Sequence, residues 1–281
     1  MNAYDPIQRI YVRPPHEAAF EQWKAYGWHA EPDPQTAADE HAAFVAALTA
    51  EVPDVVVGRE PVAGDPDAVY AYDPTLVTEA GVIPLRPGKE GRREEPPLVA
   101  AELEAAGCTI LPGIEAPATA EGGDMFFLDD RTLLAGLSYR TNEAAIEQLR
   151  PRLAEQGVEI ITFDLSHFHG PGECLHLMSF ISPLDADLAV VYLPMMPVRL
   201  VHLLEARGIG MVEVPEEEFL SLGPNVLALG PRRAITVDAN PVTRSRMEAA
   251  GVEVLTYTGN QICLNGDGGP TCLTRPIWRR D

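Results

Sequence analysis

The sequence predicts an α/β protein made of five ββαβ units, their strands facing a central channel and their helices outside. Three observations lead there. An amphipathic helix passes through an acidic residue into Gly and then a β-rich run four times, as LEAAGCTIL, LAEQGVEII, LEARGIGMVEV and MEAAGVEVLTY. Each unit holds more strand than a simple alternation of one strand with one helix would use. Finally, no GxGxxG or Walker sequence opens a helix, as a doubly wound nucleotide-binding sheet requires.

Taken in order, the first unit is degenerate: in LTAEVPDVVV, Val52 replaces the Gly after a helix that begins near Asp33. Strand-like runs follow at Val69 to Tyr72 and Leu76 to Leu85, then a helix to Gly107. Met125 to Leu128 and Thr132 to Leu137 precede the helix to Gly157. Cys174 to Ile181 and Leu188 to Leu193 precede the helix to Gly208, and Val226 to Leu229 with Ala234 to Val237 precede the helix to Gly251. Each Gly suits the left-handed residue that stops a helix and turns the chain into the next strand. The Pro/Glu-rich stretch Arg86 to Leu98 reads as a surface loop. With no low-complexity linker, residues 1–281 are expected to form one domain.

Composition narrows the function. Among 281 residues, 42 acidic and 21 basic side chains give a formal charge of −21. No basic cluster offsets it, since Arg92-Arg93 runs straight into Glu94-Glu95, so nucleic acid and anionic membranes are expected to be repelled. The same charge suits a small cationic substrate. The apolar run Leu188 to Leu204 contains Pro194, Pro197, Arg199 and His202, and reads as a buried strand plus a helix start instead of a membrane span. MNAYDPIQRI lacks the cationic and apolar segments of a signal peptide. Four cysteines without a CxxC pair fit a reducing cytoplasm. Assembly state is not legible, which leaves room for a homo-oligomer.

Several short motifs carry reactive groups. Cys272 follows the run Gly-Asp-Gly-Gly-Pro-Thr, where exposed backbone suits a nucleophile, whereas Cys108 and Cys263 sit in apolar patterns. His176, read as mid-strand with Cys174 and Met178 on one face, needs a polar partner and could then exchange protons. In Ala-Glu121-Gly-Gly-Asp124, two carboxylates flank a diglycine at a strand mouth. Asp67 and Asp73 bound a segment read as a short strand, and Arg92 and Arg140 lie in loops where a guanidinium can grip a carboxylate. His167, His169 and Cys174 match no closed zinc spacing, so no metal site is expected.

In this order the motifs PDxxYxxDP, GRR, EGGD, SxRTN, CLHLxS and GGPTCLT resemble those of the guanidino-group modifying enzymes, or penteins, over roughly residues 60 to 278. Among these the chain is most similar to the dimethylarginine dimethylaminohydrolases. The resemblance implies a five-bladed α/β propeller and a C–N hydrolase of guanidino compounds that needs no metal or organic cofactor. It implies Cys272 as nucleophile, His176 as general acid and base, and Glu121 as the carboxylate that orients the histidine and contacts the guanidinium. Asp73 would hold the guanidinium, Asp67 would lie near the substrate's amino-acid end, and Arg92 and Arg140 would bind its α-carboxylate. Arginine deiminases usually place Asp two residues after the histidine. Here that residue is Met178, which leaves apolar room for N-methyl groups. The acidic residue that often precedes the guanidinium-binding Asp is Tyr72. Arginine deimination, amidino transfer and a silent binding protein are the rivals, and retention of Cys272, His176 and Glu121 speaks against silence.

Overall fold

The computed structural model describes residues 2–173 and 175–279, so Cys174 lies outside the described residues. Its strands form five separate sheets. Strand β1 (Ile7–Val12) is followed by the short helix α1 (Trp23–Tyr26), the long helix α2 (Pro34–Glu51) and β2 (Asp54–Val57). A hairpin of β3 (Thr75–Thr78) and β4 (Gly81–Pro84) leads to α3 (Glu95–Ala105). Then come β5 (Met125–Asp129), β6 (Thr132–Leu137), α4 (Glu143–Ala154) and β7 (Glu159–Asp164). The fourth group is β8 (Ile181–Asp185), β9 (Leu188–Val191), α5 (Val198–Ala206) and β10 (Gly210–Glu213). The fifth is β11 (Leu227–Gly230), β12 (Arg233–Val237), α6 (Pro241–Ala249) and β13 (Glu253–Tyr257), after which β14 (Thr274–Arg279) pairs antiparallel with β1.

One rule covers all five. An antiparallel pair is extended by a third strand that returns parallel after a helix, as β6 pairs with β5 and then with β7, and β12 with β11 and then β13. In the second sheet the third strand shrinks to a single parallel bridge, Val82 to Ile110. The first sheet draws its outer strand, β14, from the far end of the described chain.

Local sequence explains the helix ends. Asp33 caps α2 by accepting from the Thr36 N–H at 2.7 Å, with Pro34 in the first turn, and Asn142 caps α4 by accepting from Ala145 N–H at 3.1 Å. Gly107, Gly157, Gly208 and Gly251 all have positive φ, between 69° and 88°, as expected of helix-stopping glycines. Where Val52 stands instead, α2 ends in an extended residue and runs directly into β2.

Helices α4 and α5 pack their apolar stripes on their own sheets. Leu149 and Leu153 of α4 meet Leu133 and Ile160, and Leu200 and Leu204 of α5 join the cluster of Val190 and Phe180. Strands β9 and β11 are buried along their whole length, which accounts for their unbroken apolar sequences. Phe44 of α2 reaches past its own sheet to Tyr257 of β13, ring centroids 4.5 Å apart. Among the described residues, no helix is long and apolar enough to cross a membrane.

Three local expectations fail where the chain serves the site. The run Val69 to Tyr72 is no strand. Pro66–Val69 is a 3-10 turn continued by further turns, because buried side-chain partners replace a ladder. Between His176 and Ile181 the chain forms a 3-10 turn, Leu177–Ser179, stabilised by His176 N–H to Ser179 Oγ and Ser179 N–H to the His176 carbonyl, both 3.0 Å. Arg86 to Leu98 is not a surface loop either: α3 begins at Glu95, which is fully buried with Arg92. Phe44→Ala should destabilise the protein by about 3–5 kcal/mol, read as a lower urea midpoint with an unchanged slope.

Candidate active site

Two turns and one glycine-rich segment converge on a cavity of about 550 Å³, lined among others by Asp73, Arg92, Arg140, His176, Asn225 and Cys272. The Tyr72 N–H donates to the carbonyl of Cys272 at 3.1 Å, tying the turn before β3 to the residues just before β14. Asp73 is buried, and each of its oxygens has a fixed partner. Gly123 N–H donates to Oδ1 at 2.8 Å and Arg92 Nη1 to Oδ2 at 2.6 Å.

The diglycine of the EGGD motif has a steric cause. A Cβ on Gly123 would lie 2.2 Å from His176 Nδ1, and one on Gly122 would lie 2.3 Å from the Tyr72 carbonyl oxygen. Only glycine therefore lets the imidazole and the Asp73 turn close on this segment. His176 Nε2 hydrogen-bonds Glu121 Oε2 at 2.9 Å, and its Nδ1 lies 3.8 Å from Asp73 Oδ1. Glu121 has no exposed surface and sits behind the imidazole, held also by Arg140 Nη1 at 3.2 Å and by the Lys89 N–H at 3.1 Å. Burial pushes the Glu121 carboxyl up, but the hydrogen bond from His176 and the charge of Arg140 prevail and hold it well below the usual range.

Asp124 steadies the turn that carries His176. Its Oδ1 accepts from Leu177 N–H at 3.0 Å and its Oδ2 from Ser138 Oγ–H at 2.7 Å. Burial nonetheless pushes its carboxyl up to about 6, against the opposing charge of His176.

Cys272 is half-buried, and Asn225 Nδ2 donates to its sulfur at 3.1 Å while Asn225 Oδ1 accepts from Thr271 N–H. The glycines before Cys272 are needed for the same reason as the diglycine: a Cβ on Gly269 would strike Asn225 at 2.6 Å, and one on Gly268 the Tyr70 ring at 2.2 Å. Cys263 is fully buried beside Tyr257, and burial pushes its thiol well up, so it is a packing residue.

The remaining expected residues lie close by, with unexpected partners. The Arg92 guanidinium is enclosed by Glu95, Asp73 and the carbonyl of Tyr70, the last at 3.1 Å. Burial alone would lower its pKa, but Glu95 and Asp73 outweigh it and keep the group firmly charged. Asp67 accepts from Trp28 Nε1–H at 2.8 Å and from Lys89 Nζ at 2.6 Å. Burial pushes the neighbouring Asp65 up to about 6. Asn225, Lys89 and Glu95 escaped the reading of the sequence: a lone Asn after Pro, a Lys in a loop and a Glu in an acidic run give no local signal. His167 bonds Tyr139 and faces no described metal ligand set. The ligand atoms of Asp73, Glu121 and His176 do lie within 4.8 Å of one another, a spacing that suits a metal ion. Both carboxylates already face an arginine, however, which opposes the concentrated double charge of a divalent metal ion more than it opposes a single, delocalised positive charge.

A family model described as eukaryotic N,N dimethylarginine dimethylhydrolase matches residues 17–279. The N(G),N(G)-dimethylarginine dimethylaminohydrolase of Pseudomonas aeruginosa is 28% identical over 245 residues, covering 86% of this chain and 89% of that one. Its Streptomyces coelicolor counterpart is 27% identical over 267 residues, 92% and 86% of the two chains. The arginine deiminase of Mycoplasma capricolum is 28% identical over 197 residues, 58% of this chain and about half, 48%, of its own length. Among solved structures, a Cys-to-Ser variant of the Pseudomonas enzyme complexed with citrulline superposes with a TM-score of 0.79 at 26% identity, covering 96% and 98% of the chains. The N-terminal domain of ArgZ, a cyanobacterial arginine dihydrolase, reaches 0.81 at 21% identity over 98% of both chains, a likeness of fold alone.

The titration of Asp124 is testable. Its folded-state value of about 6 exceeds the ordinary 3.8, so its contribution to stability is complete below about pH 4 and is lost as pH rises through 6. The stability of the wild type minus that of Asp124→Asn should fall between pH 4 and pH 7 by up to about 3 kcal/mol, measured by urea denaturation. The comparison cancels the titration of groups remote from Asp124.

Proposed function

Since the chain belongs to the dimethylarginine dimethylaminohydrolase family of guanidino-modifying enzymes, we propose that it hydrolyses a C–N bond of a guanidino substrate, foremost N-methylated arginine, to citrulline and an alkylamine. The observation that carries this reading is the convergence of Cys272, His176 and Asp73 on one cavity, with Glu121 directly behind the histidine.

The chemistry follows from the geometry. A guanidinium is resonance-stabilised, so attack at its carbon requires a thiolate, and the substrate's positive charge favours that form as it arrives. Cys272 is the nucleophile, its sulfur held by Asn225. Asp73, fixed by Arg92 and Gly123, sets the plane of the guanidinium. Sulfur adds to the carbon, and the imidazolium of His176 gives a proton to the departing amine as the C–N bond breaks. A thiouronium remains on Cys272. His176, now neutral, takes a proton from water, whose oxygen adds to the same carbon. The C–S bond then breaks with its electron pair going to sulfur, the hydroxyl proton passes to solvent, and the ureido product and the thiolate are released beside a reprotonated His176. Glu121 holds the imidazole and stabilises its charged form. Arg92 and Arg140 lie on the carboxylate side of the substrate, where they act by fixing Asp73 and Glu121, and Asp67 borders its amino-acid end. No step calls for a metal or an organic cofactor.

Met178, buried against the cavity, favours methylated over free arginine, because it offers apolar surface where a second carboxylate would grip an unsubstituted nitrogen. The five sheets of common order support a five-bladed α/β propeller, and the pairing of β14 with β1 supports one domain over residues 1–281. A nucleophilic thiol suits the reducing cytoplasm.

Purified protein incubated with dimethylarginine, monomethylarginine, arginine and agmatine should release citrulline and amine fastest from the methylated arginines. Cys272→Ser should abolish turnover, and His176→Asn should slow it about 10²–10⁴-fold. Asp73→Asn should lower kcat/KM at least about tenfold. No turnover of any of the four compounds, or full activity in Cys272→Ser, would overturn the reading.

A further inference from the structure

We propose that Lys89 is a specificity-determining residue that binds the carboxylate of the substrate and, by neutralising Asp67, makes an α-ammonium dispensable. The substrate class of this site is then the methylguanidino carboxylates at large, of which methylated arginine is one member; the inference rests on the reading of the site given above.

Asp67 is the acid placed beside the substrate's amino-acid end. It is buried, and both oxygens are already partnered: Oδ1 accepts from Trp28 Nε1–H at 2.8 Å, and Oδ2 is paired with Lys89 Nζ at 2.6 Å. An incoming ammonium would have to displace a lysine already seated there. It would gain little, because the pair is close to neutral as a whole.

Lys89 itself is held in place. Its backbone N–H donates to Glu121 Oε1, its ammonium donates to the Tyr26 carbonyl at 2.7 Å, and that ammonium lies 4.5 Å from the centroid of the Tyr26 ring. The side chain lines the catalytic cavity and keeps 21% of its surface exposed. An ammonium has three N–H donors. Two are used, on Asp67 and Tyr26, which leaves one for a ligand. The arginines of the cavity are differently placed. Arg92 is enclosed by Glu95, Asp73 and main-chain carbonyls, and Arg140 spans both oxygens of Glu121. Lys89 thus combines an oriented positive charge, exposure to the cavity and an available donor, and the partner those properties select is an anion. A guanidino compound with a terminal carboxylate matches the cavity at both ends: its cation meets Asp73 and its anion meets Lys89.

The test compares three ligands: N-methylarginine, its desamino analogue methylated 5-guanidinopentanoate, and its decarboxylated analogue methylated agmatine. Binding is measured by calorimetry to Cys272→Ala protein, which needs no turnover. The two carboxylates should bind within about threefold of each other, and the decarboxylated compound about ten- to a hundredfold more weakly. Lys89→Met, which keeps an apolar stem over Tyr26, should weaken the desamino carboxylate most, weaken N-methylarginine less because its α-ammonium can then reach Asp67, and strengthen methylated agmatine, whose amine gains the same partner. Because the readout is a ratio within one protein preparation, partial misfolding of the variant does not mimic it, and Lys89→Arg should retain the carboxylate preference. If the desamino analogue binds tenfold more weakly than N-methylarginine, or if Lys89→Met leaves the order unchanged, the inference is overturned. If the binding order holds while wild-type protein turns over none of the three, the reaction is misassigned and the specificity of the cavity stands.

Discussion

The acid side of the cavity is organised around the buried guanidinium of Arg92. Glu95 takes one edge of it and Asp73 another, and the Tyr70 carbonyl completes the shell. A charge so enclosed is tolerated only while all its partners stay in place, since removing one leaves an uncompensated ion in a poorly polarisable interior. Several local features follow. The chain after β4 must turn inward to deliver Arg92, α3 must start at Glu95, and the turn before β3 must present Asp73 instead of continuing as a strand. Once Asp73 is fixed, Gly123 has to be glycine, because the carboxylate and the imidazole approach it together.

This explains which parts of the molecule could be read from its sequence. Helix ends were legible at Gly107, Gly157, Gly208 and Gly251, since a left-handed cap has a purely local cause. So were the hairpins Met125–Leu137 and Leu227–Val237, where apolar strands flank a short turn. The segments Pro66–Tyr72 and His176–Ser179 were misread as strands for one shared reason. Their backbones are bonded to groups far away in sequence, such as Asp124 on Leu177 N–H, and an apolar pattern carries no trace of such a partner.

The site was legible to the extent that its residues sit in recognisable motifs. Cys272, His176, Glu121, Asp73, Asp67, Arg92 and Arg140 all lie in or directly behind one cavity wall. What the sequence concealed was how they are paired. Arg92 meets acids on its own chain, and Asp67 meets Lys89, a residue outside every motif. The overall charge of −21 gave no hint of this, because the acids nearest the chemistry are each matched by a cation or a hydrogen-bond donor within the fold.

The union of β14 with β1 bears on the order in which the molecule comes into being. Cys272 follows every other residue of the cavity in the chain and directly precedes β14. On the ribosome, the turn bearing Asp73, the diglycine and His176 all emerge before the thiol is made. The most reactive atom is therefore added last, and it takes its place only as β14 finds the first strand and the Cys272 carbonyl meets the Tyr72 N–H. A nascent chain passes through most of its synthesis with its binding groups already made and its nucleophile still absent.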